Sequence, residues 1–166
     1  MKTLFIGGIK SGKSLLAEKY VLEHYADQQK PIYLATTEFV DAELRERIQV
    51  HKKRREEKFL TLEEPLDLYS PVQSSQSPIL IECTSMWINN MLYHQRSKEQ
   101  ILEHIKQVMS LSKDMVFVHN DVGSGIIPDN PLARTYVDIS GIVSQIIATE
   151  CNEVYHCIAG IQSRIK

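Results

Sequence analysis

The sequence predicts an α/β fold, a mostly parallel sheet flanked by helices on both faces. Three observations predict it. Short apolar runs rich in β-branched and aromatic residues recur at 3–6, 32–35, 79–82, 115–119 and 154–158, as strands buried on both faces do. Helical patterns fill the intervals, and strands alternating with helices form parallel sheets because each right-handed crossover lays its helix back on the sheet. The first strand runs directly into a glycine-rich turn and then a helix.

The first helix is expected from Lys13 to about Ala26, the second from Asp41 to about Lys58, with Asp41 at its N-cap. The segment 69–78 carries Pro71, Pro78 and several Ser and Gln, so it is expected to be a surface loop. Helices follow at 84–93 and at 97–113, the latter with Ser97 as N-cap. The clearest helix is the last: Leu132, Tyr136, Ile139, Val143 and Ile146 recur at offsets of four, three, four and three, one apolar stripe on one face. No internal repeat or long low-complexity stretch divides the chain, and 166 residues suffice for one domain burying about 70% of its unfolded surface.

With 43% hydrophobic and 24% charged residues the composition is that of a soluble globular protein, and nothing approaches the run of about 20 apolar residues that a membrane span needs. The apolar start after Lys2 is too short for a secretory signal, so a cytoplasmic location is expected. Cys83, Cys151 and Cys157 lack C-x-x-C spacing and an even count, and read as buried thiols of a reducing compartment. A net charge of −2 gives no overall attraction to nucleic acid, and a nucleic-acid partner is not expected. The local exception is Lys52-Lys53-Arg54-Arg55, which spacing alone reads as a solvated helix face.

The turn after the first strand reads Gly7-Gly8-Ile9-Lys10-Ser11-Gly12-Lys13-Ser14, the G-x-x-x-x-G-K-[ST] pattern of a P-loop, in the strand-to-helix context the pattern requires. Such a loop turns successive N–H groups onto phosphate oxygens, and the helix adds its positive N-terminal end. Lys13 is expected to reach the β and γ phosphates and the Ser14 hydroxyl to ligate Mg²⁺. Glu82, closing an apolar strand, is the candidate second metal or water ligand; a charge ahead of the helix starting at Thr84 is a compatible second role. The fold expectation is therefore a P-loop NTPase.

A P-loop does not by itself separate a kinase from a switch or a motor. The chain also carries Tyr33-Leu34-Ala35-Thr36-Thr37, Asp41 to Leu44, Arg47-Ile48, His51, Arg54-Arg55, Thr61-Leu62-Glu63-Glu64-Pro65, Leu80-Ile81-Glu82-Cys83, Asn120-Asp121 through Pro128, Arg134, Asp138, Gly141, Gln145 and the stretch from Gly160 to Lys166. Together with the P-loop these resemble the bifunctional adenosylcobinamide kinase and adenosylcobinamide-phosphate guanylyltransferase family of cobalamin biosynthesis, over nearly the whole chain.

By spacing, His51 shares a helix face with Leu44 and Ile48, as a packing histidine would, although the cations beside it suit attack near a polyphosphate. The resemblance implies that His51 is the residue that becomes covalently guanylylated. It further implies that Ala35, Thr36, Thr37, Lys52, Lys53, Arg54, Arg55, Glu63 and Glu82 line the guanine nucleotide site. A carboxylate at Glu63 could accept from guanine N1–H and the exocyclic amine, or act as an N-terminal charge before Leu66. The implied substrates are ATP and GTP with Mg²⁺, then adenosylcobinamide and its phosphate, on a symmetric homo-oligomer of which a trimer is one form. Departures from the family pattern are Val50, Phe59, Asp121 as the acidic residue of the glycine loop, Val137 and Ser144; the last two remove a cation and an amide from a region suited to corrinoid or subunit contact. An enzyme with a single half-reaction and a non-catalytic, regulatory P-loop protein are the alternatives.

Overall fold

The computed structural model describes residues 1–25, 29–38 and 57–166. In chain order the elements are β1 (Lys2–Gly7), α1 (Lys13–His24), β2 (Ile32–Ala35), β3 (Leu60–Glu63), α2 (Tyr69–Ser74), β4 (Ile79–Glu82), α3 (Thr84–Tyr93), α4 (Lys98–Ser110), β5 (Met115–Asn120), α5 (Pro131–Glu150), β6 (Glu153–Ile158) and β7 (Ile161–Arg164). They build one seven-stranded sheet in the order β3-β2-β4-β5-β1-β6-β7. Every pairing is parallel except β6 with β7. The expected helix from Asp41 to about Lys58, with its Asp41 cap, lies outside the described residues, which resume with a turn at Glu57 and Lys58.

Alternation along each strand divides the core into two layers, one per face of the sheet. Leu4, Leu34, Ile79, Ile81 and Phe117 pack with Trp87 and Ile88 of α3, Ile101 and Ile105 of α4, and Ile139, Val143 and Ile147 of α5. Their chain neighbours Phe5, Tyr33, Leu80, Val116 and Val118 face the other way, onto Ala17, Tyr20 and Val21 of α1. Strands with both faces covered need continuous apolar runs, and this is why five of the seven were readable.

The helix ends follow their capping chemistry. Ser97 and Gln100 form a reciprocal capping box at the start of α4. Asn130 Oδ1 accepts from the Leu132 and Ala133 N–H groups, with Pro131 opening α5. The expected loop at 69–78 is corrected: residues 69–74 are helical. Asp67 Oδ1 accepts from the Tyr69 and Ser70 N–H groups, Pro71 falls in the first turn where its missing N–H costs nothing, and Val72 is buried. Cys151 and Cys157 are buried and Cys83 half-buried; all three are free thiols. Among the described residues no helix is long and apolar enough to cross a membrane.

Several polar side chains lie deep in the core, and His119 is the titratable one among those fully buried in the described residues. His119 of β5 is buried, with Nδ1 2.8 Å from Thr84 Oγ1 on α3 and Nε2 3.0 Å from Ser140 Oγ on α5. Thr84 Oγ1 also donates to Val118 O at 3.1 Å, so His119 Nδ1 carries the proton it shares with Thr84, and Nε2 accepts from Ser140. Burial pulls the His119 pKa down to about 4. The folded protein therefore keeps it neutral, whereas the unfolded chain takes up a proton below about pH 6.5. The stability contributed by neutral His119 is whole above about pH 6.5 and is lost as the pH falls toward 4, by up to about 3 kcal/mol. Urea denaturation of wild type and His119→Asn across this window should show the wild type losing stability more steeply, by about 1 kcal/mol per pH unit; parallel curves would show that His119 does not carry the dependence.

Candidate functional site

The carboxyl ends of β1, β2, β3, β4 and β5 share one edge of the sheet, the edge at which open α/β sheets hold their ligands. The P-loop leaves β1 there. Gly7 sits in register with Asn120 of β5 and Cys157 of β6, and a Cβ on it would fall 2.3 Å from the Cys157 carbonyl oxygen, so the residue must be glycine for the loop to leave the sheet between its neighbours. Gly12, at φ 91°, turns the chain into α1 and lies against Gly160, the turn between β6 and β7: a Cβ on Gly12 would come 2.9 Å from Gly160 Cα. Gly160 N–H donates to Ser11 O at 2.9 Å, and Asp121 N–H donates to Gly7 O at 2.9 Å. The loop is thus held at both ends by the backbone of its neighbours.

Within it, Lys13 is buried and its Nζ donates to Gly8 O at 3.0 Å, laying the ammonium across the loop. Lys10 adopts φ 58°, and Ile9 is exposed at the loop crest. Ser11 Oγ is buried with no hydrogen-bond partner among the described residues. Ser14, in the first turn of α1, donates from Oγ to Glu82 Oε1 at 2.6 Å. A hydroxyl and a carboxylate held together are hard oxygen donors of the kind Mg²⁺ takes, and Mg²⁺ at nucleotides keeps waters and phosphate oxygens for its remaining positions. The donor set fits the ion.

Strand register assembles the rest. Glu63, Ala35 and Glu82 stand on one rung of β3, β2 and β4. Parallel in-register strands point such residues to the same face, here the α1 face, where Ala35 packs and Glu82 meets Ser14. Adjacent strands are about 4.8 Å apart, so the two carboxylates are separated by roughly 10 Å of sheet. Glu63 is exposed at the end of β3. The turn-capping part weighed for it is played by Glu64, whose Oε1 accepts from the Leu66 and Asp67 N–H groups at 2.9 and 3.0 Å. Glu82 closes β4 ahead of α3, whose N-cap is Cys83, and the Glu82–Cys83 peptide is cis.

Thr37 is half-buried beyond β2, but Thr36 is fully buried, and its hydroxyl is committed to the backbone behind Glu82: it donates to Cys83 O at 2.9 Å and accepts from Cys83 N–H at 3.0 Å. Thr36 therefore supports the site from within. Burial, and secondarily the Glu82 charge, push the Cys83 thiol up, so it is not a thiolate nucleophile. Asp121 folds its own loop, accepting from Gly123 N–H and Ser124 Oγ. Phe59, one of the departures, is buried edge-on to Tyr33. His51, Lys52, Lys53, Arg54 and Arg55 lie outside the described residues. Sequence patterns did not single out Asn90 or Trp87, which join this assembly from inside α3; Gly160, which opens the C-terminal stretch of the resemblance, joins it through the backbone.

Comparisons with known proteins follow the same direction. The family model described as CobU, cobinamide kinase / cobinamide phosphate guanyltransferase, matches residues 3–165. The bifunctional adenosylcobalamin biosynthesis protein CobP of Pseudomonas aeruginosa is 34% identical, covering all of this chain and 98% of its own. The bifunctional adenosylcobalamin biosynthesis protein CobU of Escherichia coli is 31% identical, with both chains covered in full. Among solved structures, a KaiC-like protein of Pyrococcus horikoshii aligns with TM-score 0.55 over 93% of this chain and 69% of its own, and the flagellar accessory protein FlaH of Methanocaldococcus jannaschii with TM-score 0.50 over 98% and 75%. Both are 14% identical, a likeness of fold alone: the P-loop α/β architecture.

The glycines make a direct test. A Cβ on Gly8 meets nothing within 4 Å, and Gly8 lies outside the left-handed region, so Gly8→Ala should change stability by no more than about 0.5 kcal/mol. Gly7→Ala should cost more than about 2 kcal/mol, read as urea midpoints, because the Cys157 backbone must move.

Proposed function

From the membership of this chain in the cobinamide kinase / cobinamide phosphate guanyltransferase family, we propose that it phosphorylates adenosylcobinamide and then transfers GMP from GTP to the product through a His51–GMP intermediate. The observation that carries the reading is the 2.6 Å contact of Ser14 with Glu82 beside a buried Lys13 at the mouth of the P-loop. A triphosphate seated there meets loop N–H groups, the N-terminal end of α1 and one ammonium, the groups that phosphoryl transfer requires.

In the kinase step the acceptor hydroxyl of adenosylcobinamide attacks the γ-phosphorus of ATP or GTP. The new O–P bond forms as the bond to the bridging β-oxygen breaks; the nucleoside diphosphate leaves and the hydroxyl proton is released. Lys13, freed from Gly8 O, is placed to neutralise charge on the β and γ oxygens. Ser14 and Glu82 would hold Mg²⁺, which supplies charge neutralisation along the polyphosphate. Catalysis here is positioning and electrostatics more than covalent chemistry.

In the second stage the unprotonated imidazole of His51 attacks the α-phosphorus of GTP, an N–P bond forms and pyrophosphate departs. An oxygen of adenosylcobinamide phosphate then attacks the same phosphorus, the N–P bond breaks, His51 is restored and adenosylcobinamide-GDP is released. The Lys52 to Arg55 run supplies the cations for the departing pyrophosphate. Glu63, one rung across from Ala35, offers the acceptor for guanine N1–H and amine. A symmetric homo-oligomer, a trimer, belongs to the same reading, and sedimentation equilibrium tests it.

GTP labelled separately at the α and γ positions resolves the stages. The α label should enter the protein in a GMP-sized adduct by intact mass, vanish in His51→Ala, and form more slowly below about pH 6 as the imidazole protonates. An adduct that survives His51→Ala sinks the intermediate. Glu82→Gln should lower kcat for both stages by about 100-fold while His51→Ala spares γ-phosphoryl transfer; equal loss of both in His51→Ala would argue against two separable steps.

A further inference from the structure

Two buried side chains of α3, Asn90 and Trp87, donate to backbone carbonyls of the segments that follow β2 and β3. Asn90 is fully buried, and its Nδ2 lies 2.6 Å from Thr36 O and 3.1 Å from Pro65 O. Only the amide nitrogen has two protons to give to two carbonyls, and an oxygen in that position would be repelled by both, so the orientation of the side chain is fixed by its partners. Trp87, one turn earlier on the same face and fully buried, donates from Nε1 to Leu66 O at 2.8 Å.

These three carbonyls are not arbitrary. Thr36 directly follows β2, whose last residue Ala35 shares a rung with Glu63 and Glu82. Pro65 and Leu66 follow β3, two and three residues beyond Glu63. Glu64 N–H donates to Ala35 O at 3.0 Å, and the Glu64 carboxylate closes the turn that carries Leu66 and Asp67. One buried amide thus ties the end of the Glu63 strand to the end of the Ala35 strand. Asn90 Oδ1 is buried with no hydrogen-bond partner among the described residues, so the side chain carries a desolvation cost that an apolar residue would avoid. What it provides in return is the spacing of two strand ends.

We propose that Asn90 and Trp87 are positioning residues for guanine: they hold the segment bearing Glu63 at the distance from Ala35 at which the base is read, and do not themselves touch the nucleotide. The inference rests on the guanylyl-transfer reading above. It separates base recognition, set by α3, from triphosphate binding, set by the P-loop and α1.

Calorimetry with GTP, ATP and inorganic tripolyphosphate, each with Mg²⁺, on wild type, Asn90→Ala and Trp87→Phe tests the separation. Orphaning two buried carbonyls should weaken GTP about 10-fold or more in Asn90→Ala, with a smaller loss in Trp87→Phe, while tripolyphosphate, which reports an intact fold and P-loop, changes by less than about 2-fold in both. KM for GTP in guanylylation should rise with kcat nearly unchanged. Equal loss of GTP and tripolyphosphate affinity would reduce Asn90 and Trp87 to fold stability and overturn the proposal. Wild-type selectivity for GTP over ATP that persists unchanged in both variants would overturn it too, leaving the guanylyl-transfer reading intact. A wild type that binds GTP and ATP alike would remove guanine recognition itself, and the proposal with it.

Discussion

The hydrogen bond from Ser14 to Glu82 spans two strands that are not neighbours. β5 lies between β1 and β4, so the first turn of α1 must lean over the carboxyl end of β5 for a hydroxyl to come 2.6 Å from the Glu82 carboxylate. That reach needs a parallel sheet in this strand order, with the P-loop leaving β1 level with the end of β5 and two rungs beyond the end of β4. A single slip in register would turn Glu82 to the opposite face, toward α3, and leave Ser14 facing a backbone edge. Much of the remaining architecture can be understood as fixing that register: continuous apolar strands on both faces, and Thr36 pinning the backbone behind Glu82.

Three buried polar side chains fall along the same edge, and each joins elements that apolar contact alone would leave free to slide. His119 joins β5 to α3 and α5. Thr36 joins β2 to the β4–α3 junction, and Asn90 joins α3 to the ends of β2 and β3. Directional bonds in a desolvated core cost more than a Leu in the same place when any partner is imperfect, but they admit only one alignment. Toward the N-terminal edge of the sheet the buried polar side chains among the described residues include Thr3, bonded to Tyr20, and Ser75, bonded to Ser77. His119, Thr36 and Asn90 stand where the ligand chemistry is.

What the sequence disclosed and what it hid follow from burial. β1, β2, β4, β5 and β6 are covered on both faces, so their apolar runs stand out, and the α5 stripe is buried from Ile139 to Ile147, whereas its expected first member, Leu132, is exposed at the helix start. Among the described residues β3 pairs only with β2 and leaves Leu60, Leu62 and Glu63 exposed; β7 is exposed throughout. Edge strands of this kind have no periodic signature to find. The 69–78 segment misled because Pro and Ser are turn residues in general, whereas here Asp67 caps a short helix in which Pro71 is tolerated. For the site, the P-loop letters and the strand-ending Glu82 were legible because their chemistry requires particular residue types at fixed spacing. Asn90 and Trp87 were not, since an Asn or Trp in an apolar helix face looks the same whether it packs or positions.

The exposed C-terminal hairpin shows how an element with little core of its own can still be required. β6 and β7 are joined by the two-residue turn Ala159-Gly160, both at positive φ (51° and 79°), the geometry that matches the twist of paired strands. Gly160 has open space where its own Cβ would be, yet its backbone lies against Gly12 and its N–H bonds Ser11 O. The turn therefore does for the far side of the P-loop what Asp121 does for the near side at Gly7 O. If β7 were absent, the β6 end would fray and Gly12 would lose the surface against which it turns the chain into α1. The hairpin contributes little apolar burial, but it sets the angle at which Lys13 and Ser14 leave the loop, and with it the distance to Glu82.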